Sequence, residues 1–181
     1  MGTLSILTVC THNRTRSVLM AALLEHHLAA HDVDATVTSA GYRHEGLPAT
    51  PETVRLLAER GIDVGSHQSR QVTPELIDAA DLVVTAEREH VVKVAVARRD
   101  AFARTFTLPE LIRWAGVVGP RQSKPWPDWL DEIGSERPRA STYLGAEIGE
   151  VDDPTGRPLD VWHRTVDEID QMCEQLAAVI R

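Results

Sequence analysis

One short run of residues combines a nucleophile with groups that bind anions. The run comprises Cys10, Thr11, His12, Asn13, Arg14, Thr15, Arg16 and Ser17. An apolar stretch (residues 4–9) precedes it, and a helical pattern begins at Val18. In a strand–loop–helix segment the loop N–H groups converge on one tetrahedral oxyanion, and the helix dipole favours negative charge there. The same field favours a cysteine thiolate over the thiol.

Two side chains at the end of this run extend the chemistry. Arg16 offers a planar fork of donors that matches two phosphate oxygens, which lysine does less well. Ser17 is placed to donate a hydrogen bond to the sulfur of Cys10. The pattern therefore predicts a cysteine-dependent phosphatase, whereas the alternative for Cys10 is a small buried hydrophobic residue at the end of a strand.

The order of the remaining segments predicts how this loop is positioned. Predicted strands fall at residues 4–9, 35–39, 82–85 and 105–107. Predicted helices follow these strands, and the clearest is the last, where apolar residues recur at three- and four-residue spacing from Val166 to Ile180. Alternating strands and helices with short links indicate a parallel sheet with right-handed crossovers. Its ligand site is expected at the carboxyl edge of the strands, where Cys10 lies.

Composition narrows the class of protein. At 181 residues with a net charge of −8, the chain suits one domain, residues 1–181, and lacks the basic character of a nucleic-acid or anionic-membrane binder. No apolar run approaches a membrane span, and no signal peptide is expected at the N-terminus. The two cysteines do not make a disulfide framework, so we expect a cytoplasmic location with Cys10 reduced.

The segment from about 116 to 149 is expected to be an irregular insertion, because prolines and glycines interrupt it. A short helix around Asp128 to Ile133 is the one regular element expected within it. Either an ordered surface excursion or a lid near the active site fits this composition.

A candidate general acid follows that segment, in the sequence Asp152-Asp153-Pro154. Cleaving a phosphate ester with a thiolate requires a proton for the leaving oxygen, and a carboxylic acid on a fixed loop is a natural donor. Because Pro154 restricts the residue before it, we predict that Asp153 rather than Asp152 is aimed at the site.

Taken together, these motifs resemble the low-molecular-weight protein tyrosine phosphatases, which share their fold with thiol-dependent arsenate reductases. The matching blocks are residues 10–17, Thr38-Ser39-Ala40-Gly41, Gly61-Ile62-Asp63 with His67 and Ser69-Arg70, residues 80–85 with His90, and Asp153-Pro154. The resemblance implies a three-layer α/β sandwich with a central four-stranded parallel sheet and a phosphate-binding loop after strand 1. It also implies Cys10 as nucleophile, Arg16 as phosphate clamp and Asp153 as general acid, with no metal and no cofactor.

The resemblance further assigns the supporting residues. Ser17 donates to the thiolate and Asn13 holds the loop, a role suited to its tolerance of left-handed backbone. The predicted substrate-binding residues are Thr11, His12, Asn13, Arg14, Thr15, Ser17 and Tyr42.

Three departures from the family pattern bear on the substrate. His12 replaces a glycine, and Thr15 replaces the second cysteine that would form a disulfide within the loop. Thr155 replaces the aromatic residue that stacks on a phosphotyrosine ring. Tyr42 and His44 are candidates for part of that wall, while Tyr42 as an aromatic at the edge of the core is the alternative.

The predicted function is hydrolysis of phosphate monoesters, with protein phosphotyrosine or a small aryl phosphate as substrate, through a phosphocysteine intermediate. One alternative is an arsenate reductase that uses an external small thiol, because Cys173 lies on the apolar stripe of the last helix. A second alternative is a non-catalytic phosphate-binding module. The oligomeric state is left open by the sequence.

Overall fold

A computed structural model describes residues 3–181, and its centre is a parallel sheet of four strands. The strands are β1 (Leu4–Cys10), β2 (Ala35–Gly41), β3 (Leu82–Thr85) and β4 (Thr105–Thr107), in the spatial order β2-β1-β3-β4. Every neighbouring pair is parallel, which confirms the predicted fold class. Cys10 is the last residue of β1, beside Gly41 at the end of β2.

Seven α-helices surround the sheet in the described part of the chain. They are α1 (Arg16–Ala30), α2 (Pro51–Ala58), α3 (Pro74–Asp78), α4 (Arg88–Ala97), α5 (Leu108–Val118), α6 (Trp126–Glu136) and α7 (Leu159–Ile180). Two short 3₁₀ helices, Arg99–Arg104 and Ala140–Gly145, complete the set. None of the helices between residues 3 and 181 is long and apolar enough to cross a membrane.

The two faces of the sheet are covered by different helices. Residues of β1 alternate between the faces, as the period of two in a strand requires. Leu4 and Ile6 join a core cluster built from α1, α5, α6 and α7, whereas Leu7 and Val9 join a smaller cluster with α3 and α4. The three layers therefore follow from strand alternation combined with the apolar stripes of the helices.

The helix starts use side-chain caps. Thr50, Thr73 and Thr107 each accept a hydrogen bond at the start of a helix that carries proline in its first turn. At α5, Glu110 also bonds back to the backbone of Thr107, which completes a capping box. These caps hold α5 at the carboxyl end of β4, on the same edge of the sheet as Cys10.

The expectation of an irregular segment at 116–149 is wrong for much of its length. Helix α5 continues to Val118, and α6 occupies Trp126–Glu136. Trp129, Leu130 and Ile133 are all buried on one side of α6, so tertiary packing stabilises a helix whose local sequence is rich in helix breakers.

Candidate active site

The sulfur of Cys10 lies at the base of the loop between β1 and α1. Cys10 is almost fully buried, and its Sγ is 3.0 Å from the hydroxyl of Ser17 and 3.3 Å from the backbone N of Asn13. Both groups donate hydrogen bonds that stabilise negative charge on sulfur. The loop therefore surrounds Cys10 with donors before any anion arrives.

The amide of Asn13 fixes the direction of these hydrogen bonds. Its Oδ1 accepts from the backbone N of Arg70 at 3.0 Å, so its Nδ2 must face the other way. That Nδ2 donates to the hydroxyls of Ser17 at 3.0 Å and Ser39 at 2.8 Å. Because Ser17 Oγ accepts from Asn13, its own proton is available to the sulfur of Cys10.

The loop is kept in its shape by close contact with the end of β2. Asn13 is buried with a φ of 52°, in the left-handed region that asparagine tolerates, and its carbonyl bonds to His67 Nε2 at 2.7 Å. A Cβ added to Gly41 would lie 2.7 Å from the Asn13 backbone N. Only glycine at position 41 lets the two segments approach this closely.

Arg16 extends from the first turn of α1 to two carboxylates and is 4% exposed. Its Nη1 pairs with Glu87, and its Nη2 lies 2.8 Å from Asp153 Oδ2. Nη1 also lies 3.3 Å from the carbonyl of Val151. The guanidinium thus joins the start of α1, the end of β3 and the segment before α7 at one point.

Asp153 and Asp152 differ in where they are held. Asp153 contacts Arg16 through one oxygen and accepts from the backbone N of Thr155 through the other, at 3.0 Å. Its side chain remains 43% exposed, so it faces both the guanidinium and solvent. Asp152 makes no hydrogen bond or ion pair within residues 3–181. The geometry brings Asp153, and not Asp152, to the loop that carries Cys10.

Glu87 is a site residue that the sequence analysis missed as such. It is the residue before α4. The available signal was its position two residues beyond Thr85, because the carboxyl ends of β1 and β3 meet at one edge of a parallel sheet.

Behind the loop, Thr11 contacts a buried histidine. Thr11 Oγ1 lies 3.1 Å from His90 Nε2, and His90 is 1% exposed. Burial lowers the pKa of His90 to about 4 against the opposing influence of Glu87, so the ring is neutral near pH 7. Among the described residues Nδ1 has no partner, and a bare lone pair is cheaper than an orphaned N–H. His90 therefore donates through Nε2, which leaves the hydroxyl proton of Thr11 for another acceptor.

The remaining predicted binding residues are spread around the loop. His12 and His44 are exposed, whereas Thr15 is buried and bonds to the hydroxyl of Thr50 at 3.2 Å. Arg14 is partly exposed, and its Nε donates to the carbonyl of Pro48 at 2.7 Å.

Tyr42 is partly buried, and its hydroxyl is shielded from solvent. Its ring stacks on His90 with centroids 5.7 Å apart, and Lys93 Nζ lies 5.2 Å from its centroid. Burial raises the pKa of its hydroxyl, which has no partner among residues 3–181. This surrounding matches an aromatic at the core edge, the alternative that the sequence left open.

Features outside the loop do not add to its chemistry. Among the described residues no group of three or more His, Cys, Asp or Glu side chains is arranged to hold a metal ion. Cys173 is fully buried on α7, and burial raises the pKa of its thiol. A cleft of about 520 Å³ lies between α5 and residues 136–149, and Cys10 is not among the residues that line it.

Known proteins resemble this chain over nearly its whole length or over part of it. A protein-arginine-phosphatase of Bacillus subtilis (strain 168) is 27% identical over 98% of this chain and 97% of its own length. A probable low molecular weight protein-tyrosine-phosphatase EpsP of Ralstonia solanacearum is 38% identical over 44% of this chain and 53% of its own. A solved YwlE arginine phosphatase mutant with a phosphorylated active-site serine superimposes with a TM-score of 0.72, at 26% identity over 97% of this chain and 94% of that one.

The family assignment rests on a long match that includes the loop. Residues 5–116 match the family described as low molecular weight phosphotyrosine protein phosphatase, which covers the sheet, Cys10, Arg16 and Glu87. Asp153 lies beyond the matched residues but is joined to them through Arg16. The chain therefore belongs to the low molecular weight phosphotyrosine protein phosphatase family and is a hydrolase of that type.

Proposed function

We propose that the chain hydrolyses phosphate monoesters on proteins through a phosphocysteine at Cys10, with Arg16 as phosphate clamp and Asp153 as general acid. One observation carries the proposal: the Sγ of Cys10 lies among donors on a loop whose arginine contacts an exposed carboxylate. A binding module needs the donors and the arginine, but it has no use for a nucleophile and an acid at the same point.

In the first step the thiolate of Cys10 attacks phosphorus in line with the leaving oxygen. The S–P bond forms and the P–O bond breaks, and Asp153 gives its proton to the departing oxygen. The phosphoryl oxygens take the loop N–H groups, the hydroxyl of Thr11 and the guanidinium of Arg16 as donors. When phosphate binds, Arg16 pairs with its oxygens instead of with Asp153, and Asp153 is then free to protonate the leaving oxygen.

In the second step a water molecule replaces the sulfur. Asp153, now a carboxylate, accepts a proton from the water as its oxygen bonds to phosphorus and the S–P bond breaks. Ser17 stabilises the departing thiolate of Cys10 through the hydrogen bond that Asn13 directs. The phosphorylated active-site serine in the related arginine phosphatase supports a covalent intermediate at this position.

Cys10→Ser tests this mechanism with a small aryl phosphate. Turnover should be lost while the thermal unfolding midpoint stays near that of the wild type, because serine fits the space of cysteine. Mass spectrometry of acid-quenched wild-type enzyme should show one phosphoryl group on Cys10. Substantial turnover by the Cys10→Ser variant would contradict the proposal, because it would show that Cys10 is not the nucleophile.

For the substrate we propose protein phosphotyrosine. The family description supports it, as does the similarity to a probable low molecular weight protein-tyrosine-phosphatase over part of the chain. Phosphotyrosine peptides should be hydrolysed with a higher kcat/KM than phosphoserine peptides of the same sequence, because the aryl oxygen is the better leaving group.

Phosphoarginine is the second candidate substrate. The Bacillus subtilis relative that matches nearly the whole chain is a protein-arginine-phosphatase, and Thr155 leaves no aromatic after Pro154. Assays with phosphotyrosine and phosphoarginine peptides of one sequence separate the two. A parallel assay with arsenate and an external thiol tests the arsenate reductase alternative. The thiol has to be external because Cys173 is too buried to resolve an adduct on Cys10. A cytoplasmic location stays a prediction.

A further inference from the structure

A second arginine stands on the phosphate loop, two residues before Arg16. The backbone of Arg14 is fixed because its carbonyl accepts from the N of Thr50 at 3.0 Å. Its side chain is fixed as well, because Nε donates to the carbonyl of Pro48 at 2.7 Å. The guanidinium is therefore held at a set place between the phosphate loop and residues 42–50.

The charge of Arg14 has no counterpart in the described part of the chain. No carboxylate between residues 3 and 181 lies within ion-pair distance of it, and the bond to Pro48 uses only Nε. The two terminal nitrogens keep their donors. By contrast, both terminal nitrogens of Arg16 on the same loop have partners, namely Glu87, Asp153 and the carbonyl of Val151.

We propose that Arg14 binds a second anionic group of the substrate, a carboxylate side chain next to the phosphorylated residue of an acidic peptide. This inference rests on the proposed function, because it concerns the same loop and the same substrate. Both terminal nitrogens of Arg14 match the two oxygens of a carboxylate in a bidentate pair.

The charge of the whole protein makes such a contact informative. With a net charge of −8 the protein as a whole repels acidic peptides. A fixed cation on the loop supplies local attraction where the substrate enters, and it penalises a second cation at the same place. An acidic flank is therefore selected by Arg14 itself rather than by the general field of the protein.

The test compares two phosphotyrosine peptides that differ only at the flanking positions, glutamate in one and glutamine in the other. We expect wild-type kcat/KM to favour the glutamate peptide by about tenfold at low salt. High salt should reduce that ratio, because the pair is partly exposed. Arg14→Ala should bring the ratio close to one, Arg14→Lys should restore part of it, and Arg14→Glu should invert it.

The matched control is Arg121→Ala. Arg121 also donates through Nε to a backbone carbonyl, that of Ile180 at 2.9 Å, but it lies after α5 and far along the chain from the loop. This variant should keep the wild-type ratio. A merely structural Arg14 would lower kcat/KM for both peptides equally and leave the ratio unchanged, which overturns the inference. A wild-type ratio of one overturns it as well, while turnover of either peptide by the wild type but not by Cys10→Ser leaves the proposed function standing.

Discussion

Two buried arginines in this molecule are both paired with carboxylates, but the exposure of those carboxylates to solvent differs. Arg137 is bound by Glu110 through two hydrogen bonds of 3.0 and 3.1 Å, and both side chains are at most 2% exposed. The guanidinium of Arg137 also donates to the carbonyl of Phe102, and the hydroxyl of Tyr143 donates to the carboxylate of Glu110. Arg16 is as deeply buried, but its partners Glu87 and Asp153 are 29% and 43% exposed.

The difference separates an ion pair that stabilises the core from the pair to which we assign a role in catalysis. Around Arg137 the protein itself supplies hydrogen-bond partners for both side chains, and aromatic rings lie over the guanidinium, so solvent barely reaches the ion pair. Around Arg16 the protein supplies carboxylates that an incoming phosphate can displace at low cost, because solvent screens them. A buried arginine is thus a site residue when its counter-charges are reachable, and a core residue when they are sealed.

Asp153→Asn should give the largest effect, and it alters only the solvent-accessible pair of Arg16 with Asp153. A general acid contributes about 10²–10⁴-fold, and more when the leaving group is poor. Rates with a series of aryl phosphates should therefore fall strongly for poor leaving groups and less for nitrophenyl esters. Asp152→Asn is the control, since Asp152 contacts nothing in the site. If Asp152→Asn shows the leaving-group dependence instead, the roles of the two acids are reversed.

Arg137→Met should break the sealed pair. It leaves Glu110 buried without its counter-ion, which costs about 3–5 kcal/mol in the free energy of unfolding. Urea unfolding measures the loss, and Arg139→Met, an exposed neighbour, should change the free energy of unfolding by less than about 0.5 kcal/mol. The kcat of the folded fraction should stay near the wild-type value. A large fall in kcat without a loss of stability would show that Arg137 takes part in catalysis.

Arg16→Lys should affect activity rather than stability, which is the opposite of the effect expected for Arg137→Met. Lysine keeps the charge but loses the fork of donors, so we expect kcat/KM for an aryl phosphate to fall by about 10²–10³-fold. Inhibition by phosphate and vanadate should weaken in parallel, with little change in the thermal midpoint. Near-normal rates together with near-normal inhibition would show that Arg16 does not hold the phosphate.

His90 should give a pH-dependent effect on stability. Its pKa is about 6.5 in the unfolded chain and about 4 in the fold, so the unfolded chain binds more protons between these values. Its contribution is complete above pH 6.5 and is lost as the pH falls towards 4, by up to about 3 kcal/mol. Urea unfolding at pH 7 and 4.5 should show a larger loss for the wild type than for His90→Gln. Equal losses would show that His90 is protonated within the fold.

Cys173→Ala should give the smallest effect. The thiol is fully buried in the core on α7, and it donates a hydrogen bond to the carbonyl of Met20 at 3.8 Å. We expect a loss of about 1 kcal/mol in the free energy of unfolding and unchanged kinetics. Loss of activity without loss of folding would give Cys10 a resolving thiol within the chain, and it would favour an arsenate reductase that does not depend on an external thiol.

Sequence patterns predicted the parts of the fold that are specified locally. The four strands and the apolar stripe of α7 were found where the patterns placed them. Helix α6 was missed in part, because Trp126, Pro127 and Gly134 weaken its local signal and burial of Trp129 against the core stabilises it instead.

The sequence by itself determined the half of the site that lies on one continuous segment. A strand, a loop and a helix start bring Cys10, Asn13, Arg16 and Ser17 together, because backbone geometry over eight residues leaves few other arrangements. Only the tertiary structure decided that Glu87 and Asp153 meet Arg16, and that Arg137 is sealed while Arg16 is open. Those contacts depend on how crossover connections bring strand ends to one edge and on which side chains solvent reaches, and neither is encoded in local spacing.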